Sequence, residues 1–192
     1  MKRRTAALVV CSGITALLCV IMAVSCGMGK VELDEDFQKV LTYSFGDSRE
    51  PLTVIQDRIR DSYGNAEERL NLELQLAQLL QSEATWECKD FACRQLRVIG
   101  TDKSIPVLGK LLAQEEFSDM ARYALELNTD PKVDKALTKA LKQASGKTLV
   151  GLLNTIGERG SSDSAASVEQ YVNDSDSEVA AAAKDALTKI RG

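Results

Sequence analysis

From Phe91 to the C-terminus the chain repeats one plan: a polar turn, an amphipathic stretch, a second turn and a second amphipathic stretch. Ile105, Leu108 and Leu112 fall at i, i+3 and i+7, which predicts a helix with one apolar face beginning near Asp102. Pro106 fits only the first turn of that helix, where a missing amide proton is no loss. After Gln114-Glu115-Glu116, Ser118 reads as a helix cap, and Met120, Tyr123, Ala124 and Leu127 follow on one face. The next copy has Asp130 as cap and Pro131 at the first helical position, with Val133, Leu137, Ala140 and Leu141 as its stripe. Its partner follows Gly146 and carries Leu149, Leu152, Leu153 and Ile156 before Gly157. A third copy opens at Ser161-Ser162-Asp163 with Ala165, Val168 and Val172. Its second helix starts with Ser175 and Glu178 at capping-box spacing and carries Val179, Ala183, Ala186, Leu187 and Ile190. The second helices are thus expected to end at Ile99, Leu127, Ile156 and Ile190, in steps of 28, 29 and 34 residues. Helices this short cannot each enclose a core, so they bury their stripes against one another.

Upstream, Leu33, Phe37, Val40 and Leu41 give a helical face expected to end at Gly46, with Asp47 to Glu50 as a loop. Asp34-Glu35-Asp36 reads as a solvated first helical turn favoured by the helix dipole, since no spaced set of oxygen ligands follows it. Pro51 starts a further helix with Leu52, Ile55, Ile59 and Tyr63. Leu70, Leu72, Leu74 and Leu76 alternate as in a strand, while Leu72, Leu76, Leu79 and Leu80 keep helical spacing. The stretch is Leu, Glu, Gln and Ala without a β-branched residue, and Asn65 with Glu68 makes a cap, so helix is expected. Its leucine density predicts a central helix that closes the N-terminal end of the stack.

Residues 1–25 are a different material. Lys2, Arg3 and Arg4 precede an uncharged run from Ala6 to Ser25, the layout of a secretory signal. Met22-Ala23-Val24-Ser25-Cys26 resembles the lipobox of bacterial lipoproteins, which implies lipidation of Cys26 as the first mature residue. Ordinary cleavage, or an uncleaved N-terminal anchor of about 20 residues, remains open beside it. In each case the rest is expected to be exported and held at the cell envelope, with residues 26–32 as lipidated N-terminus and linker and residues 33–192 as the helical domain.

Charge and chemistry narrow the function. Without Lys2, Arg3 and Arg4, 21 basic residues face 28 acidic ones, a net charge of −7, which argues against a nucleic-acid or anionic-membrane surface. Only 5% of residues are aromatic and 3 are proline, in keeping with an all-α chain packed through Leu, Ala, Val and Ile. The chain has no histidine, so the commonest general base and the usual zinc and haem ligands are missing. Cys11 and Cys19 lie in the signal. Cys88 and Cys93 project about 140° apart on one helix, so they cannot pair without breaking it. Two small core residues, an envelope disulfide or, least in keeping with the ligand supply, a metal site are the readings of that pair.

The segments Tyr43–Leu52, Phe91–Leu96, Ile99-Gly100-Thr101 and Met120–Glu126, with the repeat endings above, resemble HEAT-repeat proteins of the short, PBS-lyase HEAT-like kind. The narrower likeness is to exported HEAT-repeat proteins of planctomycete-type bacteria. The resemblance spans roughly residues 33–191 and implies a short right-handed α-solenoid of stacked antiparallel helix pairs used for protein contacts. It brings no catalytic residue, cofactor or small-molecule substrate with it. The expected function is an envelope-tethered scaffold that binds a partner protein, with a lyase-like enzyme or a passive spacer as alternatives. The expected interaction face is Arg94, Arg122 and Tyr123, with Trp86 either as a core residue or as a partner anchor. Arg94 after Asp90 and Arg122 after Asp119 also suit simple ion pairs along one helix.

Overall fold

A computed structural model describes residues 31–192. The signal-like run, Cys26 and the linker up to Lys30 lie outside the described residues. Among the described residues the protein is all-helical, with ten α-helices and no strand. None of these helices is long and apolar enough to cross a membrane.

The helices are α1 (Glu35–Lys39), α2 (Glu50–Asp61), α3 (Ala66–Gln81), α4 (Trp86–Ile99) and α5 (Ile105–Leu111). They continue as α6 (Ser118–Leu125), α7 (Pro131–Leu141), α8 (Gly146–Arg159), α9 (Ala165–Val168) and α10 (Ser177–Arg191). Two 3-10 turns, Ser162–Ser164 and Glu169–Tyr171, flank α9. Packing follows chain order in two rows. In one, α2 lies on α4, α4 on α6, α6 on α8 and α8 on α10; in the other, α1 lies on α3, α3 on α5, and α5 on α7. Each odd helix also packs on the even helix after it. One continuous apolar core runs between the rows from Phe37 to Leu187.

Local sequence explains most starts. Asp34 accepts the amide protons of Asp36 and Phe37, Asn65 that of Glu68, Thr85 that of Cys88, Asp130 that of Lys132, and Asp176 those of Glu178 and Val179, so five helices are capped by a residue in the preceding turn. In α3 the leucine conflict resolves as helix: Leu72, Leu76, Leu79 and Leu80 are buried, each contributing roughly 2 kcal/mol by burial. Cys88 and Cys93 are free and buried in α4, which removes the disulfide reading. Burial pushes the Cys88 thiol up to about 12 and raises that of Cys93 as well, with the Asp90 charge adding to the second.

Several expectations need correction. The helix starting at Pro51 begins one residue earlier, and Tyr63 lies beyond its end, 89% exposed, not on its buried face. Helix α3 does not close the N-terminal end, because α1 and α2 pack beyond it. The helix expected near Asp102 starts at Ile105, since residues 101–104 form a turn held from outside by Glu73. Ser118 is not a cap: it is the first residue of α6, buried, and its hydroxyl donates to Leu112 O at 2.7 Å. Leu127 lies past the end of α6 and is 62% exposed. Ser175 does not cap α10; Asp176 does, accepting from the amides of Glu178 and Val179. Helix α8 runs through Gly157 to Arg159 and ends at Gly160, whose φ of 64° is left-handed. Gly157 serves packing instead, because a Cβ there would lie 2.8 Å from the Ala186 Cα of α10.

Candidate functional site

The face shared by α4, α6 and α8 collects most of the residues singled out by the sequence. On α4, Asp90 and Arg94 pair at i, i+4, with Nε to carboxylate oxygen at 2.7 Å. The Arg94 guanidinium lies 5.7 Å from the ring centroid of Tyr123 on α6. Arg97, one turn further along α4, sits closer, at 4.2 Å. Arg97 also donates to the Tyr123 carbonyl at 3.0 Å and to the Glu126 carboxylate. Tyr123 is 43% exposed, so two guanidinium groups hold an accessible ring in one orientation. Each cation–π contact is worth roughly 0.5–1 kcal/mol at such a site.

Arg122 turns the other way, towards α8. Its guanidinium donates to the Thr155 hydroxyl at 3.2 Å and to the Asp119 carboxylate, while its Nε is buried without an acceptor. The group lies flat on α8 where Gly151 leaves room; a Cβ at Gly151 would meet Arg122 Nη2 at 2.7 Å. Glycine inside a helix costs roughly 1 kcal/mol relative to alanine, and here it makes the space that Arg122 occupies.

Between these groups opens a groove of about 900 Å³, bounded by Tyr123, Leu127 and Asn128 on one side and Thr155, Glu158 and Arg159 on the other. Its walls are cross-tied. Arg159 pairs with Asp134 and donates to Asn128 O at 2.8 Å, while Asn128 reaches back to Thr101 O at 3.3 Å. Four carboxylates and two guanidiniums line it. Each carboxylate has a cationic partner: Asp119 has Arg122, Asp134 has Arg159, Glu126 has Arg97, and Glu158 has Lys189 at 2.6 Å. The Thr155 hydroxyl donates to Gly151 O and accepts from Arg122, so it is not poised as a nucleophile beside a base. Such a surface presents shape and paired charge rather than a lone reactive group. Among the described residues, no cluster of histidine, cysteine and carboxylate side chains is placed to hold a metal ion.

The chain matches no family model, no curated protein and no solved structure.

Of the four residues expected on one face, the fold brings Arg94 and Tyr123 together and sets Arg122 on the adjoining wall of the groove. Trp86 stands apart, eight residues before Arg94 and thus about 12 Å along the helix. It is neither a core residue nor part of the groove: it is 40% exposed, with its indole N–H donating to Glu116 O at 3.3 Å and its ring 6.3 Å from that of Phe45. Sequence reasoning missed Arg97, Arg159 and Gly151. Arg97 carried a signal, since it follows Arg94 by one helical turn and so shares its face. Arg159 and Gly151 carried none, because their partners lie on other helices.

Proposed function

We propose that this protein is an envelope-tethered scaffold, a short right-handed α-solenoid of HEAT-like helix pairs that binds a partner protein through the face of α4, α6 and α8. The pairwise packing in chain order supports the solenoid reading, because each unit packs chiefly against its neighbours. The lipobox-like Cys26 and the apolar run before it support export and attachment to a membrane by lipid or anchor. The acidic balance of the remaining chain disfavours nucleic acid as the partner.

The observation that carries the binding reading is Tyr123, clamped by Arg94 and Arg97 at the rim of the groove with exposed Leu127 beside it. Tyrosine and arginine are the side chains that contribute most at protein interfaces, and a ring already held in place loses little entropy on binding. The test is crosslinking in cells from a photoreactive residue at position 127, with position 135 on α7 as the control. The expected result is a discrete protein adduct from position 127 that is lost with Arg97→Ala and absent from position 135. Equal crosslinking from both positions, or none from either, refutes the reading. Mass spectrometry of the mature N-terminus decides the address, where a diacylglyceryl Cys26 is expected.

A further inference from the structure

We propose that Trp86 and Phe45 form a membrane-facing contact that seats this domain on the lipid surface to which its N-terminus is tethered. The inference rests on the tethered reading above and adds to it by assigning the end of the domain that faces the bilayer.

The first observation is the pair itself. Phe45 is 71% exposed, in the loop between α1 and α2, and Trp86 opens α4, their rings meeting edge to face. Exposed phenylalanine costs free energy in water, and an indole with an apolar body and a polar N–H is suited to the headgroup layer of a bilayer. The pair is held in place. The Thr85 N–H donates to Leu41 O at 3.0 Å, the Thr85 hydroxyl donates to Tyr43 O, and the indole N–H is fixed on Glu116 O.

The second observation is where the chain enters the domain. Val31, Glu32 and Leu33 share a cleft with Gln78, Gln81, Ser82 and Glu83 at the C-terminal end of α3. Glu83 precedes Trp86 by three residues, which reach at most about 10 Å. Val31 is five positions on from Cys26, a reach of at most about 18 Å. A lipid on Cys26, or an apolar run from Ala6 to Ser25 in the bilayer, therefore keeps the Trp86 end of the domain within reach of the headgroups. The opposite end, α9 and α10, lies at the far end of the row of packed helices.

The charges at this end decide the kind of contact. Glu83 and Glu87 flank Trp86 in the sequence, Glu116 precedes Phe117, and Lys89 is engaged over the Phe117 ring at 5.1 Å. Among the described residues, these acidic side chains leave the aromatic pair as the apolar contact that this end offers. Two rings alone are too small an area to hold a free protein on a bilayer. They suffice once the tether raises their local concentration at the surface.

Trp86 is the single tryptophan, so its fluorescence reports this contact directly. The full chain is reconstituted into phosphatidylcholine vesicles, and quenching is measured with phospholipid brominated near the headgroup. The expected result is a blue-shifted emission, quenching that molar salt does not relieve, and a loss of roughly half the quenching in Phe45→Ser, a surface change that leaves the helical circular dichroism intact. A chain that floats with the vesicles while its emission stays that of a water-exposed indole overturns the contact and leaves the tether standing. A chain that does not float overturns the tether and the contact with it. A photoreactive residue at position 45 that crosslinks in cells to protein and not to lipid assigns the pair to a partner and overturns the contact as well.

Discussion

Glu73 offers the sharpest test of how successive helix pairs are joined. It lies inside α3, 1% exposed, and receives three hydrogen bonds from the turn between α4 and α5. The Thr101 N–H donates to it at 2.7 Å, the Thr101 hydroxyl at 2.8 Å and the Ser104 N–H at 3.0 Å. Ser104 precedes α5 without capping that helix by its own side chain, so Glu73 supplies from another helix what a local cap supplies elsewhere. Glu73→Ala leaves two backbone donors and one hydroxyl without their acceptor. Breaking one side of a buried charged network costs roughly 3–5 kcal/mol. Glu73→Gln keeps an acceptor for the two amides and turns its NH₂ towards the Thr101 hydroxyl, which can rotate to accept, so about 1 kcal/mol is lost. At roughly 2–4 °C per kcal/mol for a domain of this size, Ala lowers the thermal midpoint by about 6–20 °C and Gln by about 2–4 °C. Thermal and urea unfolding followed by circular dichroism read both values. An Ala variant within about 1 kcal/mol of the parent, or a Gln variant as damaged as Ala, refutes the assignment of Glu73 as a hydrogen-bonding clasp.

The remaining predictions concern packing, thiols and acid. Gly157→Ala is expected to destabilise by about 1–2 kcal/mol despite the better helix propensity of alanine, because the new methyl meets α10 backbone, whereas Gly109→Ala, 3.4 Å from the nearest methyl, is expected to gain up to about 1 kcal/mol; urea midpoints in the opposite order contradict the α8–α10 approach. Cys88 and Cys93 are expected to resist iodoacetamide in the folded protein and to react on unfolding, since their buried thiols stay protonated at neutral pH; peptide mapping that finds either alkylated within minutes under native conditions is the contrary result. Burial raises the Asp34 carboxyl, but hydrogen bonds from Arg58 and Gln75 outweigh it and hold the group below its usual 3.8. A lowered folded pKa means that this contribution is complete above the unfolded value and fades as pH falls through the folded one, so acid unfolding from about pH 4 downward is expected to be shallower in Asp34→Asn. An unchanged acid limb in that variant rules Asp34 out as a contributor.

The all-α class, most helix positions and the caps at Asn65 and Asp130 were legible because each depends on residues within a turn or two of one another. A side-chain oxygen meets an amide two or three positions on, and an apolar stripe repeats at 3–4 residues, so the chain states these facts locally. The errors came where a distant residue took over a local role. Ser118 satisfies Leu112 instead of capping its helix, and Glu73 caps a turn 28 residues away. Gly157 is needed for the approach of α10 and not as a stop. The candidate site divides in the same way. Asp90 with Arg94 and Asp119 with Arg122 were readable as helical neighbours. The clamp of Arg97 on Tyr123, the seat of Arg122 on Gly151 and the parting of Trp86 from the groove arise only when α4, α6 and α8 are packed side by side, because each contact joins residues that the chain itself keeps 26 or more positions apart.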